Sequence, residues 1–382
     1  MSTTTAPSPG LRAALAPRDL RLFAICAVAT AASALTDAVD VGRVIPFVVS
    51  AAALAVLASL VGHAVDALGD RLGAGATGVL QSALGNLPEL FVCLFALHAG
   101  LYDVVRAALV GSVLANVLLV LGVAFVVGGL RHGTQHFGAG RARTLSMLLT
   151  LAVAAWLIPS LTDALHSPAA GHERALSVVT SVLLLALFAL SIPAAVRRDD
   201  GEAPAALAPG PDAAAGSDGA GASEGAEDAT RWPVWFAITV LAAAGVAAAF
   251  VSDWFVAALT PAMDAVHISQ SFAGLVVVAI AGNAVENVVG VQLAARNQPD
   301  YALSVILQSP LQIALVLAPV LVLAAPLVGA TFTLVLAPML VVSLVLTVVI
   351  AVLVVVDGDS TWLEGSALIV LYLLIATAFW WG

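Results

Sequence analysis

Gly85-Asn86-Leu87-Pro88-Glu89-Leu90 recurs 197 residues later as Gly282-Asn283-Ala284-Val285-Glu286-Asn287, and this repetition decides the reading of the chain. The same offset, without a gap, pairs Val92 with Val289, Asp103 with Asp300, Ser112 with Ser309, Leu114 with Leu311 and Leu118 with Leu315. The chain therefore holds two versions of one unit. Each version carries a glutamate inside an apolar run about as long as a bilayer is thick. An ionised group there costs roughly 2.5–3.5 kcal/mol on insertion scales, so such a residue points to function.

The surrounding composition is that of a membrane protein. Of 382 residues, 61% are hydrophobic and 10% charged, far more apolar than soluble domains. The net charge of -10 does not mark an acidic binding face. Eight of the acids (Asp199, Asp200, Glu202, Asp212, Asp218, Glu224, Glu227 and Asp228) fall in one Ala/Gly/Pro/Ser-rich stretch without a base, the composition of a flexible linker. No basic, aromatic-interleaved segment suggests nucleic acid. Cys26 and Cys93 both lie in apolar runs, which argues for core packing and against a disulfide framework or zinc site.

Apolar runs predict spans over 22–35, 44–68, 75–99, 104–129, 144–165 and 175–196, then over 232–259, 272–295, 302–328, 331–356 and 363–380. The expected fold is an all-α polytopic membrane protein of about eleven transmembrane helices, because lipid offers no partner for an unpaired backbone group. The first run is short and ends in Ala31-Ala32-Ser33-Ala34, which resembles a signal-peptidase site; it is read as an uncleaved first helix. The units are then a tail and first helix (1–43), a first five-helix repeat (44–196), the acidic linker (197–231) and a second five-helix repeat (232–382). With the N-terminus inside, short loops place Arg12, Arg18, Arg21, Arg71, Arg131, Arg141, Arg143, Arg197, Arg198, Arg231 and Arg296 on the inner side and Arg43, Arg106 and Arg174 outside. That asymmetry puts the linker in the cytoplasm and the C-terminus outside, in a multi-pass protein of the cell's inner membrane. The glutamate-bearing helices are third and eighth, so the repeats insert with opposite polarity, the signature of a secondary transporter with its site near the midplane.

Asn86 shares a helical face with Glu89, and Asn283 with Glu286. An amide beside a carboxylate offers oxygens to a hard cation. Pro88, without an N–H, should leave the carbonyl of Leu84 free and open the helix just before Glu89, while Gly85 and Gly282 permit irregular backbone or close helix approach. The next helices add Ser112 with Asn116 and Ser309 with Gln312. Oxygen chemistry suits calcium, manganese, magnesium or sodium better than zinc or copper. The bland alternative, that these groups only hydrogen-bond helices together, is weaker for two glutamates at matched positions than for one. It stays open for Ser112, Asn116, Ser309 and Gln312 individually. Asp66 and Asp253, on the helices preceding the motifs, are either access-path carboxylates or acids at the membrane edge. The seven histidines lie mostly at expected helix ends or loops and read as solvated groups there, and Asp357, Asp359 and Glu364 read as loop or cap acids. No Walker A glycine loop or His-Glu-x-x-His is present, so nothing supports an enzyme.

These residues resemble the calcium/cation antiporter superfamily, in particular its calcium/proton exchanger branch. The resemblance rests on GNLPEL (85–90), GSVLANVLLVLG (111–122), GNAVEN (282–287), QSPLQIALVLAPVLVL (308–323) and the terminal DGDSTWLEGSALIVLYLLIATAFW (357–380). It implies two inverted five-helix repeats behind an extra first helix, with a cation bound between the motif helices. Glu89 and Glu286 would be the exchange carboxylates, Asn86 and Asn283 would stand beside them, and Ser112, Asn116, Ser309 and Gln312 would line the cavity. Asp66 would match an acid on the second helix. Two positions depart from the family pattern. Asn287 stands where a histidine is usual, an amide that offers an oxygen but does not titrate near neutral pH. Gln308-Ser309-Pro310-Leu311-Gln312 replaces Gly-Ser-Ala-Thr-Gln, which alters the cavity wall. The implied activity is exchange of a divalent cation, calcium first, with manganese or sodium as further cargoes, for protons and without a cofactor. A sodium-coupled exchanger is the alternative, and a cation channel the more distant one.

Overall fold

The computed structural model describes residues 16–72, 84–196 and 232–381. The described residues are mostly helical: α1 (Pro17–Ala38), α2 (Ile45–Leu72), α3 (Leu87–His98), α4 (Tyr102–His132), α5 (Ala139–Ala164), α6 (Glu173–Val196), α7 (Val234–Val266), α8 (Gln270–Gly282), α9 (Ala284–Ala295), α10 (Pro299–Val328), α11 (Pro338–Val355) and α12 (Trp362–Trp380). Nine of the described helices are long and apolar enough to cross a membrane, and α8 with α9, bent by 62°, make a tenth as one broken span. The third expected span is represented by α3; residues 75–83 of it, like the tail and the acidic linker, lie outside the described residues.

Burial sorts the helices into a centre and a rim. In α4 78% of the most apolar window is buried and in α10 61%, against 17% in α1, so the two helices that carry the Ser/Asn and Ser/Gln pairs form the middle. Close approach at the centre depends on absent side chains. A Cβ on Gly111 of α4 would strike the backbone of Leu275 in α8, and one on Gly274 would strike Val104 O and Ala107.

The ends of the helices meet in two groups, as up-and-down crossing requires. At one face His98 Nδ1 lies 3.1 Å from Val328 O, and Ser269 Oγ donates to Phe379 O. At the other, Gly138 N donates to Asp300 Oδ1 at 2.7 Å, and His132 Nε2 lies 3.1 Å from Ala295 O. There too β1 (Gln135–His136) pairs antiparallel with β2 (Asp359–Ser360), Gln135 opposite Ser360. Glu364 closes a capping box with Thr361 at the start of α12, the cap role expected of it.

One span begins later than its hydropathy suggests. Residues 331–337 form no helix, and α11 starts only at Pro338, where a missing N–H costs nothing. Hydropathy cannot see this because the strip is itself apolar. Two serines replace the helical bonds: Ser160 Oγ of α5 donates to Leu334 O and accepts from Leu336 N, and Ser177 Oγ of α6 accepts from Leu334 N. Non-helical backbone at this depth needs such partners inside protein.

Candidate functional site

Both motif segments break their helices at the asparagine. Asn86 has φ -94, ψ 19 and Asn283 has φ -99, ψ 20, outside helical values in the same sense, and helices restart at Leu87 and Ala284. Pro88 occupies the second position of α3, so the opening expected before Glu89 is present as the turn at Gly85 and Asn86. A second local correspondence lies on the central helices. Each contains a π turn, Ala115–Val120 in α4 and Ile313–Leu317 in α10, and such turns re-aim side chains and free carbonyls. The carbonyl of Ala314 is taken up by the buried indole of Trp156, 3.1 Å away.

The breaks and π turns bring the polar side chains of four segments to one buried point, with Asn283 as its hub. Its Nδ2 donates to Glu89 Oε1 at 2.7 Å, to Ser112 Oγ at 3.0 Å and to Ala279 O at 2.9 Å. Its Oδ1 accepts from Ser309 Oγ at 2.8 Å and from Asn116 Nδ2 at 3.1 Å. Ala279 O and Ser112 O can only accept, and Asn116 Nδ2 donates to the latter at 2.9 Å; these two carbonyls fix which way each amide points. Ser112 Oγ adds a longer contact of 3.4 Å to Glu89 Oε1, and Asn86 Nδ2 donates to Gln312 Oε1 at 3.3 Å. Glu89 is 7% exposed, Asn283 1% and Asn116 0%.

The Glu89 carboxylate rests on Gly282 of the other motif, where a Cβ would overlap it. A narrow cleft reaches Glu89 between walls that include Leu54, Cys93, Leu109, Phe255 and Leu317. All of these lie towards the helix ends grouped around His98 and Val328. Cys93, expected as a packing residue, is buried and also forms part of this wall.

Of the residues singled out from sequence, Asn86, Glu89, Ser112, Asn116, Asn283, Ser309 and Gln312 converge. Glu286 lies on α9, but its side chain falls outside the described residues. Asn287, one turn beyond Asn283, holds its Oδ1 buried without a hydrogen-bond partner, as does Asn116. Asp66 is half-buried within α2 and engaged in an interaction, and Asp253 is exposed on α7 beside the buried Ser252. Neither acid lines the cleft.

The arrangement offers one carboxylate, two hydroxyls and several amide oxygens around one buried point. Among the described residues no three of His, Cys, Asp and Glu gather as a metal cluster, so the oxygens here are mostly neutral. Buried amide oxygens without donors suit a hard cation that can shed its water against them. The π turns escaped sequence reading, which carries no signal for them; the close approach read at Gly282 is present, and what fills it is the Glu89 side chain.

Comparison with known proteins identifies the family. The model of the family described as sodium/calcium exchanger protein matches residues 43–196 and 236–381. A Ca(2+)/H(+) antiporter of Aphanothece halophytica is 32% identical over 336 residues, covering 87% of this chain and 89% of that protein. The Ca(2+)/H(+) antiporter ChaA of Bacillus subtilis is 32% identical over 334 residues, covering 87% and 91%. Among solved structures, native YfkE superposes with a TM-score of 0.76 at 29% identity, covering 94% of this chain and 99% of that one. The H+/Ca2+ exchanger CAX superposes at 0.69 with 16% identity over 94% and 91%, a likeness of fold.

Proposed function

The chain belongs to the sodium/calcium exchanger protein family, and from that premise we propose that it is a secondary antiporter exchanging a divalent cation, calcium first, for protons. The observation that carries the reading is the 2.7 Å bond from Asn283 to Glu89. It joins the amide of one motif to the carboxylate of the other at the floor of a cleft, in a chain whose relatives include Ca(2+)/H(+) antiporters.

The mechanism follows from charge. A buried carboxylate without a counter-charge is costly, and two such groups facing one cavity are costlier still. Glu89, with Glu286 as its counterpart in the second motif, is neutralised either by one divalent ion or by protons. The two loads exclude one another. Exposing the loaded states alternately to each side gives exchange without ATP, at one divalent ion for two protons from this pair. Asn283 and Ser112 hold the Glu89 carboxylate when it is empty, and Ser309 fixes Asn283; the oxygens of these residues, with those of Asn86, Asn116, Asn287 and Gln312, replace water around the ion.

The arginine asymmetry places the cleft on the outer side, with the tail and linker in the cytoplasm. Calcium uptake into inside-out vesicles under an imposed pH gradient tests the reading. Glu89→Gln and Glu286→Gln each abolish uptake in folded protein, and uptake retained by either refutes its carboxylate role. Replacing the pH gradient by a sodium gradient distinguishes the sodium-coupled exchanger, and flux without any countertransport identifies a channel.

A further inference from the structure

The inner ends of α1, α2 and α7 meet at a second buried carboxylate that the transport chemistry does not use. Asp19, 3% exposed, accepts from the Trp232 indole (Nε1 to Oδ2, 3.0 Å) and from Ala16 N (3.0 Å). His63 Nε2 of α2 lies 3.5 Å from Asp19 Oδ1, and its ring stands edge-on to Trp232 with centroids 4.9 Å apart. Phe23 and Phe236 complete the aromatic cluster around Trp232.

Two placements make this more than a packing contact. Trp232 stands two residues before α7 begins at Val234, so its bond to Asp19 ties the start of α7 to that of α1. Further along, α2 and α7 supply Leu54, Ala58 and Phe255 to the wall of the cleft, and they touch there through the Phe47–Phe255 stack at 4.9 Å. What fastens the inner ends of these helices restrains the wall of the cleft.

We propose that Asp19, His63 and Trp232 form a latch at the inner face that closes when His63 takes a proton. This rests on the transport reading above for its effect on exchange, though not for its geometry. Asp19 is already satisfied by the indole and Ala16, so neutral His63 at 3.5 Å adds little. Imidazolium against a buried carboxylate is an ion pair, and histidine is the side chain that changes charge between pH 5 and 8. Its side chain is 39% exposed, nine residues before the inner end of α2 at Leu72. The charged groups around it are Asp19 itself, Arg18 of α1 (Nε 3.9 Å from Asp19 Oδ1) and Asp66 one turn along α2. From α7 it meets the neutral Trp232 ring. Acidification inside thus ties α1 to α2 in addition to the standing bond to Trp232, and the latch slows an exchanger that is filling the inside with protons.

The test uses the full chain in lipid with two readouts. Indole fluorescence attributable to Trp232, taken as wild type minus Trp232→Phe, is quenched as pH falls from 8 to 6, and the titration disappears in His63→Gln. Calcium self-exchange (45Ca against 40Ca) at equal pH on both sides slows between pH 8 and 6 by about two- to fivefold more in wild type than in His63→Gln, the range of a partly exposed ion pair. Asp19→Asn, which keeps an acceptor for the indole and loses the charge, abolishes the same difference and serves where His63→Gln does not fold. Calcium exchange without a His63-dependent fluorescence titration, or with identical pH profiles in wild type and His63→Gln, overturns the latch alone. An intact titration with no calcium flux overturns the transport reading instead.

Discussion

Gly282→Ala tests whether the contact between the two motifs sets cation affinity. Gly282 has no unusual backbone, so alanine is tolerated by the chain itself; the difficulty is what its Cβ meets. That atom would stand 2.6 Å from Glu89 Cγ and 2.9 Å from its Cδ, and closer still to Oε1. The carboxylate must swing away, and the bond that fixes it, 2.7 Å from Asn283 Nδ2, is lost or stretched. A hydrogen bond to a charged group contributes about 1.5–3 kcal/mol. If the bound ion needs the carboxylate in the same place, affinity falls about tenfold to a hundredfold. Calorimetric titration of the purified protein with calcium measures this directly. Glu89→Asp, shorter by about 1.5 Å, weakens binding by itself but restores room in the double variant, so the two losses combine to less than their sum. Gly245→Ala on α7 is the control: no atom lies within 4 Å of its would-be Cβ, and exchange of glycine for alanine inside a helix stabilises by about 0.5–1 kcal/mol. Gly282→Ala binding calcium within twofold of wild type would refute the argument.

Two further outcomes concern the frame around the site. Ser160→Ala strands both Leu334 O and Leu336 N, each unmet buried group costing about 1–3 kcal/mol, whereas Ser177→Ala strands only Leu334 N; the thermal midpoint in detergent should fall further for the first than for the second, and equal midpoints would show that the strip at 331–337 does not depend on them. Trp156→Phe keeps the ring and removes the donor to Ala314 O, so amide exchange across 313–317 should quicken and the midpoint drop, while unchanged exchange would mean that the π turn holds without the indole.

The sequence showed where the helices break and which side chains face the break, because a glycine, an asparagine and a glutamate at fixed spacing in apolar surroundings have few uses in lipid. It was poorer on how the two motifs meet. Read by offset alone, they are equivalent. In the structure the described half of the site is centred on an amide: Asn283 reaches Glu89, Ser112, Asn116 and Ser309 at once. An amide can donate and accept together, which a carboxylate cannot, and so it can join donors and acceptors from four segments. The central helices also fall out of register where the chemistry lies. The offset of 197 would place Asn116 against Ile313 and Gln312 against Ala115, so the polar groups after the serines are one residue apart in the two repeats. A π turn starts at Ala115 in one helix and at Ile313 in the other. The extra residue in such a turn rotates the helix before it relative to the helix after it, which lets Asn116 face the hub from inside the turn and Gln312 face Asn86 from just before it. Hydropathy and spacing record neither rotation, since both turns are as apolar as the helix on either side. The same blindness hid the start of α11, where serines on two other helices do the work of helical hydrogen bonds. Pattern therefore reported each segment's own chemistry, and missed what depends on a group supplied from another part of the chain.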